Sequence, residues 1–453
     1  MTNTASQTTP SVDANLLEDI IKRARKQGAS AADAILGRST SLNVTLRNGK
    51  TELIERSESA ELGLRVFKGG KQAVIATSDF SPRKIDDLVE RVLGMADATP
   101  EDPYAGIAAP EEVARNFAQL DLCDPFEPDP AQLIKAAGEA EAAAMAIPGI
   151  TNTEGGDAGW GRSDVTLAIS NGFVGSYARS SASISTTVLA GQGTNMERDY
   201  DYDSATYWSD LKSPAVIGKS AGERTIRRLN PRRVSSQPVP VIYEARQARD
   251  IVSHILAAIN GNSVARGSTF LKDKLGQAVC AAHINVFEDP FIARAPRSRV
   301  FDGEGLVPHK RTLIEQGVLT TWLLDLRSAR KLGLKPTGHA ARGIGGPPSP
   351  SASNVWLEAG KASVDELIAD IKQGLFLTDT LGHGTNMVTG DYSRGASGYW
   401  IENGKLAYPV SELTVAGNLA DIFKNITPAS DLERRYGVDS PTLRIDGMTV
   451  AGQ

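Results

Sequence analysis

The chain of 453 residues has only two cysteines, Cys123 and Cys280, far apart in sequence. They build no disulfide framework, and a reducing compartment suits them. No apolar run approaches the roughly 18 residues that span a bilayer, so no membrane-crossing helix is expected. Neither charge dominates: 49 basic residues stand against 54 acidic ones, a formal net charge of −5. Such a balance offers no electrostatic footprint for nucleic acid or anionic lipid. The most basic stretch, residues 224–233 (RTIRRLNPRR), reads as a solvated helix end. The polar first 13 residues lack an apolar segment and read as a disordered tail, not a signal peptide. A soluble cytoplasmic protein is expected.

The rest is patterned as α+β. Leu16, Leu17, Ile20, Ile21 and Ala24 share a helical face that ends near Gly28. Leu42, Val44 and Leu46 alternate as a strand before Asn48-Gly49, a tight-turn pair. Leu62, Leu64 and Val66 alternate before a Gly69-Gly70 turn, and Ser81-Pro82 opens a second helix. Residues 97–130, rich in Pro and Asp, read as a linker or a long surface connection. An alanine-rich helix follows Asp129-Pro130, then strands around Asn171-Gly172, then a helix near residues 215–229. Residues 230–240 (NPRRVSSQPVP) are the best domain boundary. An N-terminal α+β region, 14–232, is therefore expected to precede a mostly antiparallel β domain, 238–450. That second domain opens on a helix stopped by Asn260-Gly261, repeats the tight turn at Asn403-Gly404, and has further helices only near 324–332 and 362–373.

Familiar catalytic signatures are missing. There is no phosphate-binding P-loop and no Gly-x-Ser-x-Gly elbow, and the pairs Gly343/Gly345 and Gly382/Gly384 lack the third glycine of a dinucleotide loop. Zinc needs three or four converging ligands, yet no two of the five histidines lie within one helical turn of each other. Cys280 and His283 sit in AVCAAHINVF, a run that reads as a strand, where an odd spacing separates their side chains. Asp250 and His254 are four apart on a helix, with His254 off its apolar face, so a surface or edge role is expected. The densest polar cluster spans 383–399 and joins His383, Asn386, Thr389, Asp391, Tyr392, Ser393 and Arg394 with glycines. It reads either as a self-satisfied turn or as a segment that meets a ligand.

Taken in order, several segments resemble the TldD/PmbA family, also called modulators of DNA gyrase. They are residues 61–70 (ELGLRVFKGG), 266–270 (RGSTF), 301–305 (FDGEG), 313–319 (LIEQGVL), 389–404 (TGDYSRGASGYWIENG) and 412–423 (ELTVAGNLADIF). The last two resemble the TldE/PmbA branch more than the TldD branch. The resemblance implies a two-subunit zinc metallopeptidase acting on unfolded or short peptides, in peptide-antibiotic maturation and antitoxin degradation. In the TldD subunit, zinc is held by a His-Glu-x-x-x-His helix just before the RGST-like segment, with a cysteine near the C-terminus. Here the matching positions are Val252, Ser253 and Ala257, and no cysteine follows Ala416. The resemblance therefore implies a non-catalytic subunit with no cofactor of its own, paired as a heterodimer with a zinc-bearing TldD-type partner. A homodimer is conceivable when it is isolated. The 383–394 cluster is the candidate chamber lining, and an extended peptide is expected to add to a sheet edge. Two alternatives stay open: an independent peptidase with a site around His383 and Asp391, and a non-enzymatic regulatory binding protein.

Overall fold

The computed structural model describes residues 12–452. The expected N-terminal tail lies outside the described residues, except that residues 12 and 13 already belong to the first helix. That helix, α1 (Val12–Lys26), buries Leu17, Ile20, Ile21 and Ala24. β1 (Ala31–Arg47) and β2 (Lys50–Lys68) form a long hairpin through Asn48 and Gly49, both at positive φ. Such a turn matches the natural twist of the strands it joins. β3 (Lys71–Thr77) returns along β2, and α2 (Pro82–Ala98) follows. α3 (Pro130–Met145) starts on a reciprocal capping box between Asp129 and Gln132. β4 (Ile150–Ile169), β5 (Phe173–Ala190), β6 (Glu197–Ala205) and α4 (Pro214–Arg227) complete the N-terminal part.

These strands make one antiparallel sheet in the order β3-β2-β1-β4-β5-β6. Alternation along β1 fixes its two faces. Ala32, Ala34 and Leu36 pack under α1 and α2, and Leu42, Val44 and Leu46 pack under α3. Ile35 points the other way and joins Leu167, Phe301 and Leu306, the last two from the C-terminal part. One turn differs from the Asn48-Gly49 type, and one expectation needs correction. Ile169 pairs with Phe173, so the Asn171-Gly172 turn has three residues, and only Gly172 takes positive φ. Asn171 instead accepts a hydrogen bond from the Phe173 N–H. Residues 99–129 lack long regular elements but are no mere surface linker, because Ala108, Val113, Ala114, Leu120 and Leu122 are buried.

The C-terminal part begins with β7 (Gln237–Tyr243), α5 (Ala245–Ala258) and α6 (Gly261–Arg266). Asn260 does more than stop α5, since its side chain caps α6 through the Asn262 N–H. Short strands β8 (Val286–Asp289), β9 (Arg311–Glu315) and β10 (Val318–Leu319) lead to α7 (Leu326–Leu332). β11 (Ala340–Ala341), β12 (Ser349–Pro350), β13 (Asn354–Leu357) and α8 (Val364–Ile368) come next. Then follow β14 (Gln373–Leu381), β15 (Asp391–Glu402), β16 (Lys405–Asn418) and α9 (Leu419–Lys424). β17 (Ile426–Pro428), β18 (Val438–Asp439) and β19 (Leu443–Ala451) close the chain.

One sheet runs β10-β9-β8-β13-β18 and the other β16-β15-β14-β7-β19-β17. A further β16–β19 pairing closes the second sheet into a ring. Among the named strands of the described residues, only β7–β14 and β13–β18 pair in parallel, so the expected α+β class with a mainly antiparallel C-terminal part describes the protein. The helix expected over 362–373 is only Val364–Ile368. The Ile371 and Lys372 carbonyls are taken by the Gly404 and Asn403 N–H groups of the β15–β16 turn. The 278–287 run becomes a strand only at Val286. Before that, Val279 and Cys280 hydrogen-bond the Gly317 carbonyl and Ala281 bonds that of Phe423.

The basic stretch is not a solvated helix end. Arg224 binds Glu244 in bidentate fashion at 2.7 and 2.8 Å. Arg228 reaches Asp199 at 3.4 Å and Asp379 at 3.5 Å, and it donates to the Ser397 hydroxyl. Arg232 lies over the Tyr408 ring, and Arg233 pairs with Glu412. These residues fasten α4 to the C-terminal part.

Candidate functional site

α5 places the site. Ala248, Ile251, Val252, Ile255 and Ala258 sit in the main C-terminal core. The other side of the helix carries Arg246, Arg249, Asp250 and His254 toward β6 and β15. A cavity of about 550 Å³ opens there, lined by Tyr200 and Tyr202 of β6, Arg246, Arg249 and Asp250 of α5, Asp379 and Thr380 of β14, Arg394 of β15, and Tyr436.

Its walls are ordered by arginine and tyrosine. The Tyr200 and Tyr202 rings stack at 6.2 Å. Arg246 lies 3.9 Å above Tyr200, and Arg249 lies 4.3 Å above Tyr436 while donating to the Tyr202 hydroxyl. Asp199, a buried residue of β6, draws in Arg224, Arg228 and Arg246 at 3.4–3.7 Å. Arg394 pairs with Asp250 at 3.4 Å, while its Nε is buried without a partner. The set suits carbonyl and carboxylate groups of an extended chain, which guanidinium and phenol donors recognise.

His254 sits at the edge of the helix's apolar face, half-buried and edge-on to Tyr392 with ring centroids 5.7 Å apart. Its Nε2 is buried and has no partner among the described residues. Burial and, to a smaller extent, Arg394 lower its pKa against the pull of Asp250, so the ring is neutral near pH 7. Asp250 pairs with Arg394 and not with His254. Behind His254 the Tyr243 hydroxyl donates to that of Tyr392 at 3.2 Å, and burial holds the Tyr243 phenol well above its ordinary range.

The 383–394 cluster therefore divides. Arg394 faces the cavity and Tyr392 is buried behind it. His383, Asn386, Thr389, Asp391 and Ser393 are exposed. Asn386 accepts from the Val388 N–H, the Thr389 hydroxyl donates to Asp391 at 2.6 Å, and Asn418 donates to the same carboxylate. The loop mostly serves its own backbone and side chains. The residues missed by sequence reasoning are Tyr200, Tyr202, Arg246, Arg249, Asp379 and Tyr436. One signal for them was present: Asp-Tyr-Asp-Tyr-Asp over 199–203 alternates, which on a strand puts both tyrosines on one face.

A metal needs converging donor side chains. Val252 is fully buried among aliphatic side chains. Ser253 turns its hydroxyl back to the Arg249 carbonyl at 3.0 Å, and Ala257 is an exposed methyl group. These three positions do not fit a metal. Among the described residues no three His, Cys, Asp or Glu side chains converge as ligands. His283 Nε2 lies 3.0 Å from the Ile426 carbonyl, and burial pushes the Cys280 thiol up to about 12.

Known proteins match this chain over nearly its whole length. Family models of the PmbA/TldA metallopeptidases match with domain 1 over residues 32–96, the central domain over 123–229 and the C-terminal domain over 236–452. Metalloprotease PmbA of Escherichia coli O157:H7 is 37% identical, over 97% of this chain and 96% of that protein. A PmbA homolog of Haemophilus influenzae is 35% identical over 95% and 94%. Among solved structures, a candidate modulator of DNA gyrase from Bacteroides thetaiotaomicron superposes with TM-score 0.90 at 26% identity, covering 98% of this chain and all of that one. TldE of Thermococcus kodakarensis shares the fold, with TM-score 0.84 at 19% identity over 96% of this chain and 100% of that one.

Proposed function

The chain belongs to the PmbA/TldA metallopeptidase family, and we propose that within it the protein is a non-catalytic subunit that shapes the peptide chamber of a heteromeric peptidase. One observation carries the proposal: the positions that match a metal-binding helix hold a buried valine, a serine bonded to its own helix and an alanine. A metallopeptidase uses its metal to generate a nucleophilic water and a carboxylate to take the proton. α5 presents neither. What α5 does present, Arg246 and Arg249, stands with Arg394 of β15 among tyrosines, a set that binds and orients a chain without attacking it. The metal, zinc by family resemblance, then belongs to a TldD-type partner, and the substrates are unfolded or short peptides.

The reading of an independent peptidase built on His383 and Asp391 finds less support. The Asp391 carboxylate is already engaged by Thr389 and Asn418, and the exposed loop around it orders its own turns.

The test is cleavage of an unstructured fluorogenic peptide by the purified chain alone and after mixing with a cognate TldD-type protein, each with and without a chelator. Silence from the chain alone and chelator-sensitive cleavage from the mixture is the expected result. Cleavage by the chain alone, persisting after repurification, would sink the proposal.

A further inference from the structure

A second cavity, sharing no residue with the one beside α5, lies where the uncovered face of the N-terminal sheet meets the C-terminal part. It measures about 280 Å³, close to the lower end of ligand pockets. Its sheet wall is Ile35, Val165, Leu167, Tyr177 and Arg179, and its other walls come from residues 296–299, 301–303, 340–342 and 351–352.

The charge in this cavity is one-sided. Arg179, Arg297, Arg299 and Arg342 line it, against a single carboxyl, Asp302. Among the described residues, Arg179, Arg297 and Arg299 have no carboxylate within ion-pair distance. Arg179 spends its two terminal nitrogens on the Pro296 and Ser298 carbonyls, and Arg299 donates to the Ala352 carbonyl at 2.8 Å. A carbonyl satisfies a donor but brings no countercharge, and the acids that act on Arg299, Glu288 and Asp302, do so from beyond ion-pair distance. Arg342 does have an acid, Asp33, but shares it with Arg65, and its Nε and Nη2 are buried with no partner. Asp302 spends its own oxygens on the N–H groups of Glu304, Leu306 and Ala340. Desolvation lowers the pKa of Arg179 and of Arg299, and Arg299 adds to the effect at Arg179. A folded chain tolerates buried, unbalanced cations poorly unless something returns the cost. Beside them the lining is apolar: Phe301 meets Tyr177 edge-on at 5.5 Å, and Val165 and Leu167 line the same cavity.

We propose that this cavity binds a small molecule bearing an oxyanion, carboxylate or phosphate, on a compact apolar body. The oxyanion takes the Arg179, Arg299 and Arg342 end, where planar guanidinium donors suit its geometry. The apolar body lies along Phe301, Tyr177 and Val165. The inference stands whether or not the chain proves to be a peptidase subunit.

Titration calorimetry on the purified full chain tests it, with N-acetyl-phenylalanine and phenyl phosphate as the two anion sources and N-acetyl-phenylalaninamide as the neutral control. At least one anion is expected to bind saturably with Kd below about 1 mM, and about tenfold or more tighter than the amide. Whichever anion binds tighter identifies the source. Arg299→Met removes an anion contact. Val165→Phe fills the apolar end and leaves every arginine in place. Each is expected to weaken binding at least about tenfold, with circular dichroism reporting the fold. If Arg299→Met fails to fold, Val165→Phe alone decides. Failure of both anions to bind, equal binding of the amide, or unchanged binding by a folded variant overturns the proposal.

Discussion

Glu304 is buried beside Asp302, and among the described residues neither has a cation within ion-pair distance. Burial first, and the neighbouring Asp302 second, push the Glu304 carboxyl from 4.5 up to about 8. Asp302 is raised too, by burial, although three backbone N–H groups pull the other way. The sign follows from proton counting. A carboxyl with a raised folded pKa keeps a proton that the unfolded chain has released. Its contribution to stability is therefore full below about pH 4.5, falls as pH rises, and levels off above about pH 8. In Glu304→Gln the amide oxygen can still accept the Leu326 N–H that Oε2 now accepts at 2.8 Å. The melting temperature of Glu304→Gln relative to the parent is expected to climb between about pH 5 and pH 8 and then flatten. A difference independent of pH would mean that Glu304 is ionised in the folded protein. Little of this was legible in the sequence. FDGEG was visible as a family segment, but no local pattern says that its two acids are buried without counterions. His254 was legible only in part: its position off the apolar face gave a surface or edge role, but nothing local showed Tyr392 of β15 lying against it.

At the scale of elements, legibility followed local chemistry. Asn48-Gly49, Asn403-Gly404 and Asp129-Pro130 set their turns and helix start by their own backbone and side-chain preferences, and each is where the sequence put it. The 278–287 run and the 362–373 helix failed because distant carbonyls and N–H groups, at Gly317, Phe423, Asn403 and Gly404, decide those backbones. α5 was readable as amphipathic, and that pattern carries a prediction about its lost metal positions. Val252→His places an imidazole in a fully buried aliphatic site, at a cost of roughly 1–3 kcal/mol for the unsatisfied ring atoms. Ser253→Glu and Ala257→His change exposed positions and are expected to stay within about 0.5 kcal/mol. Urea midpoints of the three single variants check this. Equal effects at all three would contradict the reading of α5 as a helix committed to its core.

How the two parts of the molecule meet was nowhere legible in local pattern. The arginines of 224–233 looked like solvated charge until Asp199, Glu244 and Asp379 arrived from other elements. The sheet's uncovered face likewise gave no hint that Ile344 would press against it. There Gly63 matters for its missing side chain: a Cβ built on it would stand 1.9 Å from the Ile344 carbonyl oxygen. Backbone cannot yield as a flexible side chain does, so Gly63→Ala has to push the segment around Ile344 off the sheet. That segment also carries Arg342, and with it one wall of the anion cavity. Gly94 is the matched control, an exposed glycine inside α2 whose added Cβ would touch nothing within 4 Å. Gly94→Ala is expected to stabilise the protein by about 0.5–1 kcal/mol through helix propensity alone. Gly63→Ala is expected to lower the melting temperature and to weaken binding of whichever anion the parent takes up. A loss of stability with binding intact would place the strain of Gly63→Ala away from the cavity, and the sheet face and the 340–342 wall would then not move as one unit.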